Sequence, residues 1–131
     1  MSWDAYISDN LMVPLDQEGT TLTSAAIVGH DGGVWAKSAE FPFISDRDTE
    51  QILAAMTDSS ITYVSIDGVK YWKLSVIGDN LLRCRKDKVG FIARKTRTAI
   101  VVGFYTDPPV SCQASNKIVD EAGYYLEANG C

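Results

Sequence analysis

The stretch ITYVSIDGVKYWKLSVI, residues 61–77, decides the fold. Ile61 to Ile66 and Val69 to Ile77 are rich in β-branched and aromatic residues, and Asp67-Gly68 between them is a pair suited to a tight two-residue turn. That combination predicts an antiparallel hairpin. Toward the C-terminus the strand signals continue after Gly78-Asp79-Asn80 with Leu81 to Arg85, Gly90 to Lys95 and Ala99 to Tyr105. Ile100, Val101 and Val102 run without a polar break, which predicts a strand buried on both faces. Toward the N-terminus, Leu22 to Val28 and Val34 to Ser38 flank the turn Gly29-His30-Asp31-Gly32-Gly33. Short connections imply antiparallel order throughout.

Helical spacing appears in three places. Trp3, Tyr6, Ile7 and Leu11 predict an amphipathic helix over residues 2–12 with Ser2 as its cap and Asp4 near the positive dipole end. Ser45 with Asp48 three residues on predicts a capped helix through Met56, its stripe formed by Ile52, Leu53 and Met56. Beyond Pro108-Pro109, the positions Ile118, Val119, Ala122 and Leu126 mark a C-terminal helix capped by Ser111 or Ser115. The expectation is an α+β domain over residues 1–131, with a central antiparallel sheet of six or seven strands flanked by helices. There is no repeat, low-complexity tract or dividing linker.

Apolar residues make up 46% and charged residues 22% of the 131, an ordinary globular balance. No run suits a membrane helix, and the N-terminus lacks signal-peptide order, so a cytoplasmic protein without stable membrane insertion is expected. Cys84, Cys112 and Cys131 fit neither a disulfide framework nor a zinc site and read as reduced thiols. Charge is uneven. Seven of the 12 basic residues (Arg83, Arg85, Lys86, Lys88, Arg94, Lys95, Arg97) lie together with only Asp87 against them, about +6, within a chain of net charge −5. Such a stretch suits an acidic partner surface or anionic headgroups, or it is simply two solvated strand faces.

Catalysis needs convergent groups of matched pKa, and the single histidine, His30, sits in a glycine-rich turn where solvent exposure is expected. Gly29, Gly32 and Gly33 match no phosphate-cradling pattern, and Asp120-Glu121 lacks partners for glycoside chemistry. The one enzymatic route left is Cys84 between Arg83 and Arg85, a charge setting that favours a thiolate. No enzyme, cofactor or metal is therefore expected. Two binding constellations remain. Trp3 and Tyr6 on the first helix and Tyr124 and Tyr125 on the last would form a groove for polyproline-II peptides if the helices pack side by side; otherwise Trp3 and Tyr6 are core. The basic stretch interleaves only Phe91, so a protein or lipid partner is expected rather than nucleic acid.

Ser2-Trp3-Asp4-Ala5-Tyr6-Ile7 followed by Asp9-Asn10-Leu11-Met12 resembles the N-terminal signature of profilins. Residues 25–32 and 34–38 are similar to a second block of that family, closest to its plant-like branch, and Arg83 through Thr96 and Gly123-Tyr124-Tyr125-Leu126 extend the likeness along the chain. The resemblance implies terminal helices packed together on one face of the sheet and shorter helices on the other. It implies a cytoskeletal protein that binds monomeric actin and proline-rich proteins and regulates filament assembly. Trp3, Tyr6, Trp35 and Tyr125 match polyproline-binding positions, and this moves Trp3 and Tyr6 to the groove. Arg83, Lys86, Lys95, Asn116, Lys117 and Glu121 fall where such proteins face actin. Arg85, Lys86, Lys88, Arg94 and Arg97 are the residues expected to meet phosphatidylinositol bisphosphate headgroups. Relatives usually carry glycine where Cys84, Asp87 and Val89 stand here, which alters backbone freedom and charge in that loop. Cys131 replaces an apolar or aromatic residue and implies a weaker or oxidation-sensitive groove edge, while Val13 removes the partner that Cys112 has in some plant-like members. The competing expectation is a trafficking-type or ligand-sensing domain on a similar sheet.

Overall fold

A computed structural model describes residues 3–131, and the hairpin read at residues 61–77 forms one edge of its sheet. The strands are β1 (Ser24–Gly29), β2 (Val34–Lys37), β3 (Tyr63–Ile66), β4 (Val69–Ile77), β5 (Leu81–Lys86), β6 (Val89–Lys95) and β7 (Ala99–Thr106). They lie in the order β2-β1-β7-β6-β5-β4-β3, each antiparallel to its neighbour. The β3–β4 turn works as its sequence requires: Asp67 and Gly68 take φ of 53° and 78°, so Ile66 pairs directly with Val69. At the β5–β6 turn Asp87 itself adopts φ 54°, a left-handed conformation that aspartate tolerates better than most residues.

The helices are α1 (Trp3–Asn10), α2 (Asp46–Thr57) and α3 (Cys112–Ala128). Ser2, expected to cap the first, lies outside the described residues. The Ser45 hydroxyl accepts from Asp48 N at 3.0 Å while the Asp48 carboxylate accepts from Ser45 N at 3.2 Å, a reciprocal cap that starts α2. Ser111, rather than Ser115, caps α3 by accepting from Ala114 N at 3.1 Å.

Strand alternation sends the apolar side chains to two cores. One face of the sheet offers Val64, Ile66, Tyr71, Phe91 and Phe104 to Ile52, Ala55 and Met56 of α2. The other offers Ile27, Ile92, Val101 and Tyr105 to Tyr6, Ile7 and Leu11 from the N-terminal helix region and to Val119, Ala122 and Leu126 of α3. The terminal helices therefore share one face, as expected. The opposite face differs in detail, since among the described residues a single helix, α2, covers it, and at 12 residues it is longer than α1 with 8.

Candidate functional site

Four aromatic rings from three elements form a continuous row. Trp35 on β2 lies 4.9 Å from Trp3 with the two rings tilted by 42°, Trp3 meets Tyr6 edge-on at 6.1 Å, and Tyr6 lies 5.8 Å from Tyr125 of α3. The i, i+3 spacing puts Trp3 and Tyr6 on one face of α1, and the packing of α1 near α3 brings Tyr125 to them. Beside the row is a depression of about 130 Å³ lined by Trp3, Tyr6, Tyr125, Leu126, Asn129 and Cys131. The rings are not equivalent. Tyr125 is 47% exposed, Trp3 and Trp35 are half-buried, and Tyr6 is only 2% exposed. The Tyr6 hydroxyl donates to the Ala122 carbonyl at 2.6 Å, so it braces α1 against α3 and is not a free donor at the rim. Burial, with Tyr125 and Cys131 nearby, pushes its pKa up to about 12.

The basic stretch does not form one patch. Arg94 projects under α3, is buried, and donates to Asp120 at 3.0 Å and to Glu127 at 2.6 Å. It is a structural bolt, so the expectation that it meets headgroups is corrected: its guanidinium is already engaged. Arg85, Lys86 and Lys88 gather at the β5–β6 turn, where Arg85 pairs with Asp107 at 3.2 Å. Lys95 and Arg97 lie at the other end of β6, roughly 20 Å away along the strand. The expected actin set also divides. Arg83 shares the α3 face and reaches Cys112 Sγ at 3.8 Å, one helical turn before Asn116. Lys117 and Glu121 line a separate hollow of about 200 Å³ with Pro14, Leu15, Ala114 and Ile118. By strand alternation from Cys84 and Ala93, which join the α2-side core, Lys86 and Lys95 belong to the face away from α3.

Sequence reasoning missed the exposed apolar surface beside Arg83 and Arg85. Trp72, 52% exposed, pairs in register with Arg85 and meets Tyr63 edge-on at 5.7 Å. Its signal was the phase of β4: with Tyr71 pointing into the α2-side core, Trp72 must face the other way. Asn129 was also missed; it stands one turn beyond Tyr125 and donates to the Tyr125 carbonyl at 2.8 Å.

The thiolate route at Cys84 fails. The residue is fully buried among apolar side chains, and burial pushes its pKa up to about 12, against a smaller opposing effect of Lys73. All three cysteines are free thiols. His30 is half-buried rather than exposed, with Nε2 3.0 Å from the Ala99 carbonyl. Among the described residues no cluster of metal-ligating side chains occurs, and no helix is long and apolar enough to cross a membrane.

An antiparallel sheet with its terminal helices on one face, and a row of rings where α1, β2 and α3 meet, defines a small sheet-and-helix module of recognisable class. A family model described as profilin matches residues 1–131. Profilin II of Acanthamoeba castellanii has a similar structure, with a TM-score of 0.81 at 28% identity over 99% of this chain and 100% of that one. Mouse profilin IIa, solved in complex with a double repeat from the FH1 domain of mDia1, matches with a TM-score of 0.78 at 20% identity over 100% of both chains. A chain of the LokiProfilin1/rabbit actin complex matches with a TM-score of 0.72 at 17% identity over 98% of both. The chain belongs to the profilin family.

Proposed function

We propose that this chain is a cytoplasmic, non-enzymatic regulator of actin filament assembly, with one surface for an actin monomer and another for proline-rich peptides. The row Trp35, Trp3, Tyr6 and Tyr125 carries the reading, because flat rings with polar edges suit a pre-extended proline helix. Tyr6 supports the floor of this groove, while Trp3, Trp35 and Tyr125 supply the contact. For actin, exposed Trp72 opposite Arg85, with Arg83 on the same sheet face reaching the start of the helix that carries Asn116, offers what an interface needs, an aromatic anchor among polar groups. Lys117 and Glu121 form its second flank. Mouse profilin IIa solved with an FH1-domain repeat and LokiProfilin1 solved with rabbit actin support a cytoskeletal role for this chain. Within the family, residues 25–32 and 34–38 favour the plant-like branch. A trafficking-type or ligand-sensing domain is not favoured, because its scaffold alone does not require rings at the surface.

The deciding experiment is a titration of intrinsic tryptophan fluorescence with a proline decamer, run beside a titration with monomeric actin. Proline binding is expected to change the emission and to depend little on salt, and Trp3→Ala should weaken it by more than about 1 kcal/mol. Actin affinity should fall with salt, and Lys117→Glu should cost on the order of 2 kcal/mol at a desolvated contact. A flat fluorescence response at saturating decamer would overturn the groove. For phosphatidylinositol bisphosphate, the proposal now centres on Arg85, Lys86 and Lys88 at the β5–β6 turn, with Arg97 as a separate contact. Equal vesicle flotation with and without that lipid would remove it.

A further inference from the structure

Where α3 begins, side chains from β5 and β7 close around one sulfur. Cys112 is the first residue of the helix, directly after the Ser111 cap, and is partly exposed. Arg83 Nη1 lies 3.8 Å from its Sγ, and the same guanidinium is held by Nε donating to Ser75 Oγ at 2.7 Å. Behind the sulfur stands Tyr105, fully buried, whose hydroxyl faces Cys112 and Arg85 yet makes no hydrogen bond of ordinary geometry. Gly90, its register partner on β6, clears the space, since a Cβ there would overlap the Tyr105 ring and hydroxyl. A buried hydroxyl left without a partner is costly, so a group arriving at this point to accept from it is favoured.

We propose that Cys112 is a site of reversible oxidation by hydroperoxides, with Arg83 and the Tyr105 hydroxyl forming the receptacle for the oxygen added to its sulfur. The Sγ lone pair attacks one oxygen of hydrogen peroxide, and the S–O bond forms as the O–O bond breaks. Sulfur gives up two electrons, peroxide takes them, and the departing hydroxide accepts the thiol proton to leave as water. The product is a sulfenic acid, whose oxygen accepts from the guanidinium and the phenol. The positive end of the 17-residue α3 favours an electron-rich oxygen at the same place.

No second thiol of the chain is placed to resolve it. Cys84 is fully buried on the opposite face of the sheet, and Cys131 follows the far end of α3, roughly 25 Å away along the helix. The sulfenic acid therefore persists until a small thiol such as glutathione condenses with it, forming a disulfide and releasing water. Engagement of Arg83 by the new oxygen withdraws a cation from the surface assigned above to actin. That consequence rests on the actin reading, whereas the modification itself does not.

The test exposes the reduced full chain to hydrogen peroxide with dimedone present and maps the adducts by peptide mass spectrometry. Cys112 is expected to label about tenfold faster than Cys131, with Cys84 silent until the protein unfolds. Arg83→Lys and Tyr105→Phe should each slow labelling several-fold, with folding checked by circular dichroism. Labelling of Cys131 as fast as Cys112, or unmodified rates in both variants, would overturn the site. In a second arm, actin affinity is measured before and after peroxide for the unmodified chain and for Cys112→Ser. A weakening that dithiothreitol reverses and that Cys112→Ser lacks supports the coupling; unchanged affinity, or equal weakening in both, overturns it. Failure of the reduced chain to bind actin counts against the actin reading alone, since the adduct map decides the site independently.

Discussion

Tyr6 combines two duties that its position in the sequence does not separate. Its ring contributes to the aromatic row, and its hydroxyl ties α1 to α3 through the Ala122 carbonyl at 2.6 Å. Tyr6→Phe keeps the ring and deletes the tie. The expected result is a loss of about 1 kcal/mol in stability, read as a lower urea midpoint, with proline-decamer affinity nearly unchanged. An unchanged midpoint would show that the tie contributes nothing. The i, i+3 spacing reveals that Trp3 and Tyr6 share a face, but not which ring goes deeper. Depth depends on how α1 meets α3, and that is decided by residues over a hundred positions away in the chain. The sequence leaves Tyr6 between groove and core, and its ring, 2% exposed with the hydroxyl on Ala122, belongs to both.

At the scale of the element, α3 is pinned to β6 by Arg94, whose side chain is 7% exposed while Asp120 and Glu127 are 51% and 42% exposed. Gly123 lets the helix come this close, because a Cβ there would overlap Arg94 Cγ. Gly123→Ala normally gains up to about 1 kcal/mol in helix propensity. Here displacing the pinned arginine costs roughly 1–3 kcal/mol, so the net effect should be destabilising. Calorimetry checks this, and a higher melting temperature for Gly123→Ala would refute the pin. Element identities were legible because they rest on local chemistry, such as the Asp67-Gly68 turn and the Ser45 and Asp48 cap. The division of the basic stretch was not. A run of charges has no fixed face until strand register and the overlying helix are known, and here Arg94 is buried beneath α3 while Arg83 only reaches its first residue.

Across the whole molecule, two cores on opposite faces of one sheet hold titratable groups in neutral form. Cys84 on the α2 side is raised from 9.0 to about 12 by burial, and Tyr6 on the other from 10.0 to about 12. A raised folded-state pKa contributes stability that is complete below the unfolded value and lost as pH climbs through the folded one. Stability should therefore hold to about pH 9 and then decline toward pH 12. Cys84→Ala should lower the plateau by opening a cavity yet make the alkaline decline shallower, as followed by urea titrations across that range. An equally steep decline in the variant would exclude Cys84 as a source.

In the sheet, β1 against β7 is the one pairing that joins strands distant in the chain, with Ser24 opposite Phe104, while the others are hairpins between consecutive strands. Closing so long a loop is entropically slow, so the meander β3 to β7 should form ahead of the docking of β1 and β2. The two halves of the sheet then differ in the order in which they form. Ile92→Val in β6 should mainly retard refolding, whereas Ile27→Val in β1 should mainly hasten unfolding, a contrast visible in the two arms of a chevron plot.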